Sequence, residues 1–182
     1  MLTQSILKKF ITYNDETGCF TWVTRSREHF KTNRAFNTWN ARWANKEAGT
    51  VQIHRGKHYA SIRVMYKRYL AHRLAWLYVY GEWPVNEVDH IDGNGANNAI
   101  LNLRDVTSTE NSRNIRLRDD NTSGTVGVYW CKTYRVWKSQ IMINKKNIYL
   151  GGHHDKKGAI KARAIAEVKH GFHKNHGDAR PL

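Results

Sequence analysis

The stretch EVDHIDGNGANNAILNLRDVTSTEN, Glu87–Asn111, sets an acid beside an imidazole at Asp89-His90, then adds two glycine turns and a series of carboxamides. Val88 to Ile91 reads as a short strand, and Asp92-Gly93 and Asn94-Gly95 read as tight turns. Thr107 and Glu110 have the spacing of a capping box, which predicts a helix starting at about Ser108 with Asn111 in its first turn. Alternation along the strand sends Asp89 and His90 to opposite sides.

Three chemistries compete for these residues. A calcium loop starting at Asp92 needs oxygen ligands at alternating positions and a closing Glu, but Ala96 and Leu103 stand at two of those places. That reading fails. A structural zinc site needs four soft ligands at regular spacing, and they are absent. A hydrolytic site with one hard divalent cation fits better. Asp89 offers a carboxylate oxygen and Asn111 a carboxamide oxygen, leaving further positions for water and a phosphate oxygen. His90, with an ordinary pKa near ~6.5, can take a proton from an attacking water at neutral pH.

The surrounding chain bears on the substrate. Its 182 residues carry a net charge of +15, placed as +9 over residues 1–70, −3 over 71–120 and +9 over 121–182. Basic flanks favour a polyanion, above all nucleic acid, and the acidic middle is where a cation would sit against it. A hydrophobic content of 40% with seven Trp and nine Tyr argues for packed structure. Cys19 and Cys131 form no CxxC pair, which predicts a reducing compartment. No apolar run approaches a membrane span and no cleavable leader is visible, so a soluble protein of the cytoplasm is expected.

Ile6, Leu7, Phe10 and Ile11 at helical spacing predict a short helix over 3–12, followed by a turn at Glu16-Thr17-Gly18 into a strand. Residues 25–47 are polar, basic and aromatic without a clean period, and are expected to form a long surface excursion. A hairpin is expected around Arg55-Gly56, and HYASIRV alternates as a strand. Leu70, Leu74 and Leu77 predict a helix ending at Gly81. Beyond a linker-like Asn121–Gly124, three strands (126–130, 136–143, 147–150) and an Ala-rich helix over about 159–169 are expected. One strand face collects Val128, Trp130, Trp137 and Ile141, and the other Tyr129, Lys138, Gln140, Asn147 and Tyr149. A small sheet of this kind can enter the major groove, where Gln and Asn pair with adenine and Lys with guanine. Lys132 and Arg135 join that face as DNA contacts.

The pattern V-D-H-I-D-G, N-N, N-L-R and T-x-x-E-N, from Ala71-His72-Arg73-Leu74 through Asn114, resembles the HNH motif of phage and intron-encoded endonucleases with the ββα-metal fold. The resemblance implies that His90 is the general base, that Asp89 and Asn111 hold the metal, and that Asn102 braces the metal loop and helps orient the histidine. Asn97 and Asn98 read as loop-shaping residues. Residues 124–174, with GVYW, YLG and the Ala-rich helix, resemble the Apetala/ethylene-response-factor type of DNA-binding domain, whose sheet reads the major groove. Tyr129 and Met142 replace arginines of that type, so base preference does not carry over.

Together these imply an α+β chain of small mixed modules. A basic DNA-contacting region over 1–70 precedes an HNH nuclease core over 71–118. A linker and a DNA-binding sheet-plus-helix module follow over 119–182. The expected function is a metal-dependent, homing-type endonuclease acting on double-stranded DNA as a monomer, nicking one strand. Its ion would be Mg²⁺, or Mn²⁺, with no zinc. Arg73 and Arg113 are candidate phosphate contacts near the cut. The alternative is a DNA-binding regulator whose HNH unit is an inactive scaffold.

Overall fold

Four antiparallel sheets and five α-helices make up the residues this computed structural model describes, which are 1–54, 57–113, 115 and 117–178. The class is α+β, as the sequence predicts. Packing divides the chain into two units, one over Met1–Val106 and one beginning at Thr107.

In the first unit, α1 (Gln4–Lys8) starts where the Thr3 hydroxyl accepts a hydrogen bond from the Ile6 N–H. The helix predicted over 3–12 stops early, because Ile11 opens β1 (Ile11–Tyr13), paired antiparallel with β2 (Phe20–Trp22). Leu7 and Ile11 are both fully buried. Their spacing mimics one helical face, yet a helix followed by a strand delivers both to the same core.

The excursion expected over 25–47 contains a helix, α2 (Asn33–Trp43), N-capped by Thr32. Phe36, Trp39 and Trp43 recur at helical spacing, yet none of its residues is buried, so the helix has no buried stripe. Aromatic pairs stand in for one. Phe36 lies 5.8 Å from Phe30, Trp39 lies 5.8 Å from Trp22, and the Arg25 guanidinium sits 3.8 Å above the Trp39 ring.

A three-stranded sheet follows in the order β3 (Thr50–His54), β4 (Lys57–Val64), β5 (Lys67–Leu70). The Arg55-Gly56 turn expected between β3 and β4 lies outside the described residues. On β4 the predicted alternation holds at its end, with Ile62 and Val64 buried around exposed Arg63. Helix α3 (Ala71–Tyr80) ends at Gly81, whose φ of +84° suits a residue without Cβ. Leu74 and Leu77 are fully buried and share one core with Leu7, Ile11, Phe20, Ile62 and Val64. Residues on either side of Leu70 therefore fold around the same apolar cluster.

Strands β6 (Glu87–His90) and β7 (Leu103–Val106) form a two-stranded ribbon, with Asp89 opposite Arg104 and His90 opposite Leu103. The loop between them is pinned by close approach on two sides. Gly18, at φ +73°, lies directly against the Asn98 and Ala99 backbone, and Gly95 lies against the His58 carbonyl and the Tyr59 ring. No Cβ fits at either place.

In the second unit, α4 (Ser108–Ser112) carries the predicted capping box, with Thr107 and Glu110 bonded reciprocally. Strands β8 (Val128–Cys131), β9 (Val136–Ile143) and β10 (Lys146–His153) form the predicted meander, covered by α5 (Lys156–Lys169). Asn121 and Ser123 knit a tight turn, the Ser123 hydroxyl donating to the Thr125 carbonyl at 2.8 Å. Arg163 is buried beneath the sheet and donates to Glu167 at 2.7 Å and to the Gln140 carbonyl at 2.5 Å. The composition of an Ala-rich helix gives no warning of this buried cation, which the carboxylate and carbonyl compensate.

Gly95→Ala is expected to destabilise the protein by about 1–3 kcal/mol, since the added methyl must push apart the β4 backbone and the β6–β7 loop. Urea unfolding of the full chain measures it, and Gly124→Ala, where a Cβ meets nothing within 4 Å, separates steric cost from loss of a positive φ.

Candidate active site

His90 ends β6 with its imidazole 5% exposed, turned to the buried side, while Asp89 faces the other way. The Nε2 atom lies 3.1 Å from Oδ1 of Asn98, itself buried. Asn98 spends its amide nitrogen on the Ala96 carbonyl at 3.1 Å, so its oxygen faces the ring. An acceptor there requires the proton on Nε2, and Nδ1 is then the basic nitrogen. The Asn98 carbonyl in turn accepts from the Tyr13 hydroxyl at 2.7 Å, and Ile100 N–H donates to the Asp15 carbonyl at 3.0 Å. Burial, then the Asp15 charge, raises the Tyr13 phenol, so it stays a donor.

Two further rings flank His90. His72 meets it edge-to-face with centroids 5.0 Å apart, and the Tyr59 centroid is 6.4 Å away. Burial, then repulsion from His90 and Arg73, holds the His72 pKa down to about 3, so this second imidazole is neutral. Burial and the Asp89 charge raise Tyr59, which is likewise neutral.

Asp89 is gripped by Arg104, whose Nη2 and Nε donate to Oδ2 at 2.6 and 3.0 Å. A carboxylate oxygen accepts more than one partner, so this fork orients Asp89 without exhausting it. Asn102 sits at the centre of the loop. Its Nδ2 donates to Asp92 Oδ1 at 2.9 Å and to the Asn97 carbonyl at 2.8 Å, and its Oδ1 accepts from the Asp92 N–H at 3.1 Å. Asn97 and the Asn94 N–H add two bonds to the same carboxylate, each 2.8 Å long. Burial alone would raise Asp92, but the bonds from Asn102, Asn97 and Asn94 and the nearby His90 pull it below its ordinary value. Stabilisation from a depressed carboxyl is complete above its unfolded value and is lost as pH falls through the folded one.

The bracing role expected of Asn102 thus falls on the loop. The imidazole is met instead by Asn98, which the sequence pattern marks only as loop-shaping. Asp92, Tyr59, His72 and Arg104 were also missed. Only the doubled Asn97-Asn98 and the His72 beside Arg73 hinted at them. Asn111 lies in α4, in the second unit, its N–H donating to the Thr107 carbonyl at 2.9 Å. Arg73 donates to the Asn86 carbonyl at 3.3 Å. The Arg113 guanidinium lies 5.6 Å from the Phe172 ring centre, and its carbonyl accepts from His176 at 3.0 Å.

On the meander, Tyr129 pairs with Lys138 and Tyr149 with Gln140 across strands, placing them with Asn147 on one face. Lys138 lies 4.6 Å above the Tyr134 ring, and Tyr134, Val136, Lys138 and Tyr149 line an open hollow. Lys132 and Arg135 are exposed in the β8–β9 turn.

Residues 69–113 match the HNH endonuclease family. Over 87 residues the chain is 36% identical to Protein 3.8 of Escherichia phage T7, a span covering 47% of this chain and 72% of that protein. The chain belongs to this phage protein's family and carries an HNH endonuclease domain. No solved structure matches it. The HNH domain contains Asp89, His90, Asn102 and Asn111, along with the Asn98 and Asp92 that hold its loop. Among the described residues no three His, Cys, Asp or Glu side chains gather as a cluster. The donors the motif offers are hard oxygens, which suit an ion that keeps much of its water.

Nitrogen-15 NMR of the imidazoles is expected to report His90 as the Nε2–H tautomer and to lose that preference in Asn98→Leu. A wild-type ring protonated mainly on Nδ1 would overturn the assigned roles of the two nitrogens.

Proposed function

We propose that this protein is a metal-dependent DNA endonuclease of homing type, which binds double-stranded DNA and nicks one strand. The observation that carries the reading is the His90 imidazole held by Asn98 beside Asp89, inside a domain of the HNH endonuclease family. His90 Nδ1 takes the proton of a water whose oxygen bonds to phosphorus as one P–O ester bond breaks. His72 and Tyr59, both neutral, hold the ring without competing for that proton. Asp89, aligned by Arg104, and Asn111 are the ligands assigned to the ion, and Asn102 holds the loop between them. The divalent ion, Mg²⁺ or Mn²⁺, supplies charge stabilisation to the phosphate and the leaving oxygen.

The second unit is proposed as the reader of DNA, in the manner of the Apetala/ethylene-response-factor sheet. Support comes from the face shared by Tyr129, Lys138, Gln140, Asn147 and Tyr149, with Lys132 and Arg135 at its rim. Arg73 and Arg113 are proposed separately as phosphate contacts near the cut. No helix among the described residues is long and apolar enough to cross a membrane. Action as a monomer is part of the proposal, and the cytoplasm of a bacterial host fits the phage relative. A second reading, an inactive HNH scaffold in a DNA-binding regulator, draws on the 5% exposure of His90 and the Arg104 fork on Asp89.

Plasmid nicking separates the two. The full chain with Mg²⁺ or Mn²⁺ is expected to nick, His90→Ala to lose at least ~10²-fold in rate with DNA affinity nearly unchanged, and EDTA to stop the reaction. Nicking by His90→Ala at the wild-type rate removes the histidine from its role, and full activity in EDTA removes the metal. Absence of nicking by the wild type under all ions favours the scaffold.

Lys138→Ala and Gln140→Ala are expected to differ in kind. The first weakens binding to all duplexes. The second relaxes discrimination at one base pair by ~1–3 kcal/mol, read by competition among randomised duplexes.

A further inference from the structure

The hairpin joining β4 to β5 closes with the pair Val64↔Lys67, leaving a two-residue turn at Met65 and Tyr66. Their φ angles are +48° and +65°, both left-handed, the signature of a type I′ turn. That turn favours Asn-Gly, and a bulky side chain at either position is strained. The β9–β10 hairpin uses the same geometry with Asn144 and Lys145 at +48° and +63°, where an asparagine tolerates the first position. Met65 and Tyr66 have no such excuse.

Burial does not compensate them either, since Met65 is 56% and Tyr66 100% exposed. Behind the tip, Arg63 and Arg68 stand directly opposite each other across the strands. Like charges in that position repel, and neither has an ion-pair partner among the described residues. Lys67 adds a third cation. A strained, exposed Met-Tyr tip on a stem of unneutralised arginines is costly to the isolated protein. It suits insertion of the tip at a base step while the stem meets the flanking phosphates.

Position supports this. Arg63 lies four residues along β4 from Tyr59, on the same strand face, which is roughly 13 Å of strand. Tyr59 packs at His90. The stem therefore stands on the order of four nucleotides of axial rise from the histidine.

We propose that the β4–β5 hairpin is a DNA-inserting wedge, with Met65 and Tyr66 entering the stack and Arg63 and Arg68 clamping the phosphates beside it. The inference rests on the reading of this protein as a DNA endonuclease and adds a residue set that distorts the duplex near the cut.

The test uses the full chain in EDTA, where binding is read without cleavage. Met65→Asn/Tyr66→Gly, which installs the favoured turn, is expected to raise Tm by about 4 °C. The same variant should weaken binding to a mixed-sequence duplex at least tenfold. It should also abolish the linking-number change that the wild type imposes on plasmid relaxed by a metal-independent topoisomerase. A merely structural turn would move stability without touching DNA. Arg63→Gln/Arg68→Gln is expected to flatten the slope of log affinity against log salt by about 0.9 for each phosphate that is no longer neutralised. Lys157→Gln/Lys161→Gln on α5, removing the same charge, is expected to leave that slope in place.

Wild-type affinity in Met65→Asn/Tyr66→Gly, equal slope changes in the two charge variants, or no duplex binding by the wild type would each overturn the wedge. A wild type that binds and unwinds DNA as expected but fails to nick under every divalent ion tried would overturn the nuclease reading and leave the wedge standing.

Discussion

The hydrogen bond between His90 Nε2 and Asn98 Oδ1 governs the rest of the first unit, because one amide orientation decides which imidazole nitrogen is basic. Asn98 is held in that orientation from three directions. Ala96 takes its amide nitrogen, Tyr13 donates to its carbonyl, and Gly18 lets the β1–β2 turn close over its backbone. Strands β1 and β2 carry no residue of the HNH motif, yet they close the cage around its histidine. The core that joins Leu7, Ile11 and Phe20 to Leu74 and Leu103 is what brings them there.

The loop between β6 and β7 has only a single 3₁₀ turn at Ile100–Asn102 and a few turn bonds to satisfy its backbone, so side chains take over much of that role. Asp92 and Asn102 exchange bonds in both directions, and Asn94 and Asn97 complete the set. The many carboxamides of this short stretch have their reason here. An amide both donates and accepts and carries no charge, so a dense network of them can sit beside a titrating imidazole without repelling it. The single carboxylate within the network, Asp92, is stabilised in its charged form by three donors and by His90.

Local costs in the described residues are met in different ways. Arg163 is buried and compensated by Glu167 and the Gln140 carbonyl, so its cost is met within the fold. The left-handed Asn144 sits where its side chain tolerates the conformation. Met65-Tyr66, with Arg63 and Arg68 behind them, gains neither burial nor an ion pair among the described residues, and the proposed wedge would put that strain to use against DNA.

The sequence alone determined the HNH unit and the meander, since both are written in short-range signals. The capping box of Thr107 and Glu110, the left-handed Gly81 and the alternation of Val128 to Ile141 each act over a few residues. Hidden from it were features that depend on distant partners. Helix α2 has no buried stripe and is held by aromatic pairs to Trp22 and Phe30. The early end of α1 follows from pairing with β2, sequence-local only in hindsight. Asn98 looked like one more turn residue, because its choice of His90 depends on Tyr13 and Gly18, some eighty residues earlier in the chain. Motif chemistry was legible one residue at a time. The orientation of the histidine was decided only when the core brought those residues together.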